Sequence, residues 1–172
     1  MDAIDRGILK LLQEDASLPI AEIGGRVGLS QTACWKRIQR LEADGVIERR
    51  VALVDPERVG LKVTALVAIE TNDHSPAWIA NFSSVLKAMP EVLDIYRMAG
   101  EVDYVLRVIV PDMRAYDAFY RRLIAAVPLK NVTTQFALER IKTTTALPLL
   151  ADDDDDARER APRRAAGPPS GL

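Results

Sequence analysis

A stretch of polar and cationic side chains between residues 30 and 40 contains no carboxylate. At helical spacing, one outward face would hold Gln31, Thr32, Trp35, Lys36, Gln39 and Arg40. Amide and guanidinium groups can hydrogen-bond the edges of DNA bases in the major groove, and ammonium groups can contact phosphates. This face therefore predicts contact with duplex DNA.

The residues around this face predict a helix-turn-helix. Two apolar stripes at helical spacing indicate two short helices, one with Ile20, Ile23 and Val27 and the next with Cys34, Ile38 and Leu41. Gly28 can take the left-handed conformation that ends a helix, and Ser30 can cap the next helix by accepting a backbone N–H. In this arrangement the second helix is the one that enters the major groove.

Flanking segments extend this unit to a predicted domain over residues 1–54. Apolar residues recur at the spacing of a buried helical face within residues 2–14. Residues 46–54 are predicted to be extended and to form a wing, from which Arg49 and Arg50 would contact the DNA backbone. Ser30 and Ser17, at predicted helix starts, are further candidates for phosphate contacts.

The pattern changes after a predicted linker at residues 55–62. Over residues 63–148 the order of elements is β-α-β-β-α-β, with strands at 63–71, 92–98, 103–110 and 132–141 and helices at about 76–89 and 112–126. This order predicts a ferredoxin-like domain, in which two helices cover one face of a four-stranded antiparallel sheet. The predicted fold class is therefore α+β, with a winged helix-turn-helix followed by a ferredoxin-like domain.

Composition excludes several classes of protein. The chain has 172 residues and a formal net charge of −2, which argues against coating nucleic acid by bulk charge. No apolar run is long enough to span a bilayer, and the N-terminus lacks the pattern of a signal peptide. The single cysteine, Cys34, cannot form an internal disulfide, which fits the cytoplasm.

Motifs for catalysis are missing from the sequence. His74 is the only histidine and has no neighbouring histidine or cysteine, so a metal site is not expected. We find no phosphate-binding loop, dinucleotide fingerprint or nucleophile elbow. The sequence therefore predicts no catalytic residue, no metal and no cofactor.

Residues 149–172 form the last predicted region. Five aspartates at 152–156 precede an Arg- and Pro-rich end without apolar periodicity, which predicts a disordered tail. The alternative is an acidic segment that competes with DNA for the basic helix.

Several spaced motifs together resemble the Lrp/AsnC family of bacterial transcription regulators. They are IDRxILxLLQ at 4–13, VGLS at 27–30, RIxxLExxGVI at 37–47, LVDPxxxG at 53–60 and MAGExDYxLRV at 98–108. The residues at 34–38 and 141–148 resemble a subgroup linked to cysteine and branched-chain amino-acid metabolism. Gly24 departs from the family, which usually has alanine there, and an interior glycine costs a helix about 1 kcal/mol.

The resemblance implies that the second domain senses a small amino acid. Such a ligand needs backbone N–H groups for its carboxylate and a carboxylate for its ammonium group. Gly100 permits close approach of the backbone, and Glu101 and Asp103 are candidate ammonium partners. Tyr104 and Thr134 are further candidates for the same cleft. The alternative is that Gly100 only makes the hairpin and Asp103 only caps it.

The resemblance also implies a homodimer, which can assemble further into rings such as an octamer. The helices cover one face of the sheet, and apolar residues of strands 63–71 and 132–138 are expected on the other face, which would pack against a second copy. The DNA operator should then be pseudo-palindromic. The expected location is the bacterial cytoplasm, in association with the nucleoid. Two alternatives are an architectural DNA-binding protein that senses no effector and an enzyme subunit that uses the ferredoxin-like domain.

Overall fold

The computed structural model describes residues 1–149 and divides them into two compact units. The first unit contains Met1–Ala52 together with the described residues from Lys142 onward, and the second contains Leu53–Ile141. The boundary after residue 52 lies close to the predicted one at 54. The second boundary differs from the prediction, because residues 142–148 belong to the first unit.

Within its described part, the first unit is built from three helices. They are α1 (Ala3–Glu14), α2 (Ile20–Arg26) and α3 (Gln31–Ala43). The apolar stripes predicted from helical spacing meet in one core, whose buried members include Ile8, Ile23, Cys34, Ile38 and Leu41. The predicted helix-turn-helix is therefore present.

The turn between α2 and α3 has the expected local chemistry. Gly28 adopts a left-handed φ of 74°, and the Ser30 hydroxyl accepts the Ala33 N–H at 3.3 Å. Gly24 has a packing role that the sequence did not reveal. A Cβ at this position would lie 2.9 Å from the Leu29 carbonyl oxygen, so the close approach of the turn favours glycine.

Two local predictions for the first unit are wrong. Residues 46–54 contain no strand, because no other described segment offers them a partner for backbone pairing. The predicted wing is therefore absent from the described structure. Ser17 does not start a helix either, since α2 begins after Pro19 and the Ser17 hydroxyl instead donates to Asp15 at 2.6 Å.

The last described residues, 142–149, return to α1, and we call them the return segment. The Leu147 N–H donates to Gln13 Oε1 at 2.7 Å, and Gln13 Nε2 donates to the Leu147 carbonyl oxygen at 3.4 Å. Leu149 packs against the apolar core of the first unit. The return segment thus completes this unit from the far end of the sequence. The rest of the predicted tail, residues 150–172, lies outside the described residues.

The second unit has the predicted β-α-β-β-α-β order. After a short 3-10 helix at Glu57–Val59, its elements are β1 (Val63–Glu70), α4 (Pro76–Lys87), β2 (Val92–Arg97), β3 (Tyr104–Val110), α5 (Met113–Ala126) and β4 (Asn131–Phe136). The strands lie in the order β2-β3-β1-β4, and all neighbouring pairs are antiparallel. This is the ferredoxin-like α+β architecture.

The core of the second unit lies between the sheet and its two helices. Alternate residues of the central strands, including Val67 and Leu106, are fully buried with Phe82 of α4 and Phe119 of α5. Side chains cap both helices, since Ser75 accepts the Trp78 N–H and Asp112 accepts the Ala115 N–H. On α5, Phe119 is fully buried, whereas Met113 at the start of the helix is exposed.

The uncovered face of the sheet is less apolar than predicted. Leu66 and Tyr96 are exposed there, beside an ion pair between Arg107 and Asp94. The β4 residues on this face are polar, as Gln135 is. Phe136 pairs with Ala65, which faces the helices, and the Phe136 ring therefore points towards Tyr116 of α5. The prediction of apolar β4 residues on this face is therefore wrong.

The strand β4 also ends earlier than predicted, at Phe136 instead of Ile141. The Ala137 N–H still donates to the Thr64 carbonyl oxygen, but β1 begins at Val63. Beyond this point the neighbouring strand offers no further partner, and Leu138 and Ile141 are exposed.

Candidate DNA-contacting helix and effector loop

The outward face of α3 forms as predicted. Opposite its buried residues, the helix exposes Gln31, Thr32, Trp35, Lys36, Gln39 and Arg40. Trp35 keeps 48% of its surface exposed, which is unusual for so large an apolar ring. Ser30 is exposed at the N-cap of the same helix, so its hydroxyl adjoins this face.

The two halves of this face differ in their contacts. Among residues 1–149, the side chains of Gln31, Thr32 and Lys36 form no hydrogen bond or ion pair. In the second half, Gln39 Nε2 donates to Glu42 at 2.9 Å, and Arg50 donates to the same carboxylate at 2.8 Å. The first half of α3 therefore has polar groups that are available to a partner.

A buried carboxylate on α1 binds the second half of α3. Asp5 is 1% exposed and accepts hydrogen bonds from Arg37 at 2.8 Å and from Arg40 at 2.6 Å. We predicted that Arg40 contacts DNA, and the contact that the structure shows for its guanidinium group is the internal one with Asp5. Sequence reasoning missed Asp5, although an acidic residue beside the apolar stripe of a helix was a usable signal.

The same network includes the N-cap of α1. The Asp2 carboxylate accepts the Asp5 N–H at 2.8 Å, and the Asp5 carboxylate accepts the Asp2 N–H at 3.2 Å. Hydrogen bonds from Arg37 and from the Asp5 backbone lower the pKa of Asp2 to about 2. Four side chains thus hold the start of α1 against α3, and two of them come from the candidate DNA-contacting helix.

The remaining candidates in the first unit lie after α3 or in its core. Arg49 and Arg50 are both exposed on the irregular segment that follows the helix, and Arg50 is paired with Glu42. Cys34 is buried, and this burial raises the pKa of its thiol. A thiol of this kind is a packing group and a poor nucleophile.

The candidate effector loop joins β2 and β3. Gly100 has a φ of 146°, a conformation that favours glycine, and both Gly100 and Glu101 are exposed. The loop is closed by the Met98 N–H, which donates to the Asp103 carbonyl oxygen at 2.8 Å. The Asp103 N–H donates in turn to the Ile69 carbonyl oxygen at 2.9 Å and ties the loop to β1.

The two oxygens of the Asp103 carboxylate have different surroundings. Oδ2 accepts the Thr71 N–H at 2.8 Å, which joins the hairpin to the loop before α4. Oδ1 lies 3.8 Å from Nε2 of His74, and 29% of the Asp103 side chain is exposed. Asp103 therefore makes a structural contact through Oδ2, and its carboxylate is partly exposed.

Tyr104 and Thr134 do not join this loop, contrary to prediction. Tyr104 is 5% exposed, and its ring centroid lies 4.6 Å from that of Phe82 in the core. Because side chains alternate along a strand, the residue after Asp103 points to the opposite face. The Thr134 hydroxyl is hydrogen-bonded to the Tyr116 hydroxyl of α5, on the face that the helices cover.

The structure gives two further results within residues 1–149. No helix there is long and apolar enough to cross a membrane. No group of three or more acidic, histidine or cysteine side chains in that range could hold a metal ion.

Comparisons with known proteins match both units. Residues 1–42 match the AsnC-type helix-turn-helix domain, and residues 64–147 match the Lrp/AsnC ligand binding domain. The chain is 51% identical over 150 residues to the DNA-binding transcriptional activator DecR of Escherichia coli K12. The aligned region covers 87% of this chain and 99% of that protein.

Two solved structures are similar to this chain over most of its length. An AsnC family transcriptional regulator from Agrobacterium tumefaciens matches with a TM-score of 0.84 and 55% sequence identity. The match covers 86% of this chain and 97% of the Agrobacterium chain. A transcriptional regulator from Neisseria meningitidis, solved as a complex with L-methionine, has a TM-score of 0.82 and 32% identity, covering 86% and 96%. This chain therefore belongs to the Lrp/AsnC family and is a DNA-binding transcription regulator with a ligand-binding domain.

Proposed function

We propose that the first half of α3 reads duplex DNA and that the loop between β2 and β3 binds an amino-acid effector. The observation that carries the DNA proposal is the unpaired polar surface formed by Gln31, Thr32 and Lys36, next to the exposed ring of Trp35. In helix-turn-helix proteins, the N-terminal residues of the second helix are the ones that contact base edges. Arg49 and Arg50 extend the cationic surface after the helix.

Substitutions in α3 test the proposed DNA contacts. Lys36→Ala should lower the slope of log affinity against log salt by about one unit, since one phosphate contact is lost. Gln31→Ala should cost about 1–3 kcal/mol on the preferred sequence and relax the preference at one base pair. Both can be measured by fluorescence anisotropy on a DNA fragment selected by the protein from a random library.

Lys87 provides a matched control, because it is an exposed lysine at the end of α4 in the second unit. Lys87→Ala should bind the selected DNA as the parent protein does. If Lys36→Ala and Gln31→Ala both behave like Lys87→Ala, α3 does not read DNA.

For the effector, the proposed contacts are a carboxylate and backbone groups. Oδ1 of Asp103 would accept the α-ammonium group, with Glu101 as a second acidic partner, and backbone N–H groups near Gly100 would meet the α-carboxylate. Support comes from the accessible position of this carboxylate and from the related regulator that was solved with L-methionine. We infer that a small amino acid is the effector and that no other cofactor is needed.

A thermal-shift screen with the proteinogenic L-amino acids tests this site. A ligand that binds the folded state raises its stability by mass action, by about 2.7 kcal/mol at one hundred times its Kd. Asp103→Asn should abolish the rise in melting temperature, because an amide cannot balance the charge of an ammonium group. Asp117→Asn, at an exposed ion pair on α5, should keep it. An unchanged rise in the Asp103→Asn variant would place the effector elsewhere.

The remaining proposals concern assembly and location. We infer that the uncovered sheet face, with Leu66 and Tyr96 exposed, packs against a second copy. A dimer would place two α3 helices about 34–36 Å apart on a pseudo-palindromic operator. We further propose that dimers associate into an octamer and that the protein is located in the cytoplasm at the nucleoid. We also propose that it has no enzymatic activity.

A further inference from the structure

His74 lies beside the carboxylate that we assign to the effector's ammonium group. Its Nε2 is 3.8 Å from Oδ1 of Asp103, the oxygen that does not accept the Thr71 N–H. The His74 side chain is 55% exposed, so it borders the site from the solvent side. No motif in the sequence joined these two residues, which lie 29 positions apart in the chain.

The loop that carries His74 is held by a series of hydrogen bonds. The Thr71 N–H donates to Asp103 at 2.8 Å, and the Asp73 N–H donates to the Thr71 hydroxyl at 3.1 Å. Asp73 in turn accepts the Ser75 N–H at 2.8 Å, just before α4 begins. Residues on both sides of His74 are thus held by hydrogen bonds, and the first of them ties this loop to Asp103.

We propose that His74 sets the affinity of this site for the effector's α-ammonium group by competing for Asp103 when its imidazole is charged. This inference rests on the proposed effector site at Asp103. A neutral imidazole leaves Oδ1 open to an ammonium group. A protonated imidazole pairs with the same oxygen and repels the ligand's positive charge. Effector binding should therefore weaken on acidification.

Other charged groups lie around Asp103 besides His74. Glu70 is ion-paired with Lys130 at 2.8 Å, and this contact lowers the pKa of Glu70 and raises that of Lys130. Hydrogen bonds from Ser75 lower the pKa of Asp73. Glu101 is the remaining acidic group of the hairpin loop. Histidine is the side chain that ordinarily changes charge between about pH 5 and 8.

Titration calorimetry at two pH values tests the proposal. The probe is the L-amino acid that gives the largest thermal shift in the screen, with L-methionine as a fixed reference. Its α-ammonium and α-carboxylate groups keep their charges between the two conditions. The parent protein should bind it about three- to fivefold more weakly at about pH 5.5 than at about pH 7.5, as expected for a partly exposed ion pair.

Two substitutions of His74 separate charge from shape. His74→Gln, which stays neutral, should show equal affinity at both pH values. His74→Lys, which stays charged, should bind weakly at both. Because the side chain is more than half exposed, neither change should unfold the unit, and circular dichroism verifies this.

The outcomes distinguish this inference from the proposed effector site. If Asp103→Asn abolishes binding but His74→Gln retains the pH dependence of the parent, the role of His74 is refuted and the site stands. A parent protein with equal affinity at both pH values also refutes it. If no amino acid binds at either pH, or if Asp103→Asn binds normally, both proposals fail.

Discussion

Replacing Asp5 with alanine should lower the free energy of unfolding of the first unit by about 3 kcal/mol. The substitution removes the acceptor of two guanidinium groups, those of Arg37 and Arg40, and one half of the capping box at the start of α1. For a unit of this size the melting temperature should fall by more than about 10 °C. Thermal unfolding followed by circular dichroism measures the change.

An exposed ion pair provides the control for this prediction. Asp117 pairs with Arg121 one turn further along α5, and both side chains are mostly exposed. Asp117→Ala should change the free energy of unfolding by no more than about 0.5 kcal/mol, because solvent-exposed ion pairs contribute little to stability. Equal effects of Asp5→Ala and Asp117→Ala would show that burial of Asp5 contributes nothing to stability.

The same network predicts how the unit responds to acid. The pKa of Asp2 is lowered to about 2 in the folded state, from an ordinary value of 3.8. The stabilisation that the Asp2 carboxylate provides is therefore fully present at pH values above its ordinary pKa, and it is lost as the pH falls towards 2. Because the Asp2 side chain is 53% exposed, solvent screening keeps this contribution small compared with that of Asp5.

A second large effect is expected on assembly. Leu66→Asp should raise the dissociation constant of the proposed homodimer by at least about 100-fold, since a dimer would bury two added carboxylates, each opposite an Arg107 that Asp94 already neutralises. Leu66 is 43% exposed at the centre of the uncovered face, on the strand between β3 and β4. Analytical ultracentrifugation over a range of protein concentrations measures the constant.

Ile124 is the matched position for this test. It is 47% exposed on α5, which covers the other face of the sheet. Ile124→Asp should leave the dissociation constant unchanged. If both variants dissociate alike, or if the parent protein is a monomer throughout, the uncovered face is not the dimer interface.

The elements that follow from local patterns were predicted well. Spacing of apolar residues located α1, α2 and α3, and the cap at Ser30 and the turn at Gly28 followed from side-chain and backbone chemistry. The hairpin at Gly100 was also predicted, because glycine and flanking β-formers are local signals. Glu101 and Asp103 lie on that loop, and their contact with an effector stays a prediction.

The predictions that failed concern features that depend on contacts between residues far apart in the sequence. The role of Asp5 required knowing that Arg37 and Arg40, more than thirty positions later, come to the same end of α1. The end of β4 depends on where β1 begins, and the face of each β4 residue depends on register. A shift of one residue reverses the faces, and the register found here places Thr134 opposite Val67 on the face that the helices cover.

The return segment has a consequence for synthesis on the ribosome. Because Leu147 and Leu149 contact the unit that begins at the N-terminus, this unit is completed by residues that follow the whole second unit in the chain. Domains ordinarily fold from the N-terminus as the chain emerges. Here the contacts of Leu147 and Leu149 with α1 and the first core can form only after residues 53–141 have been translated.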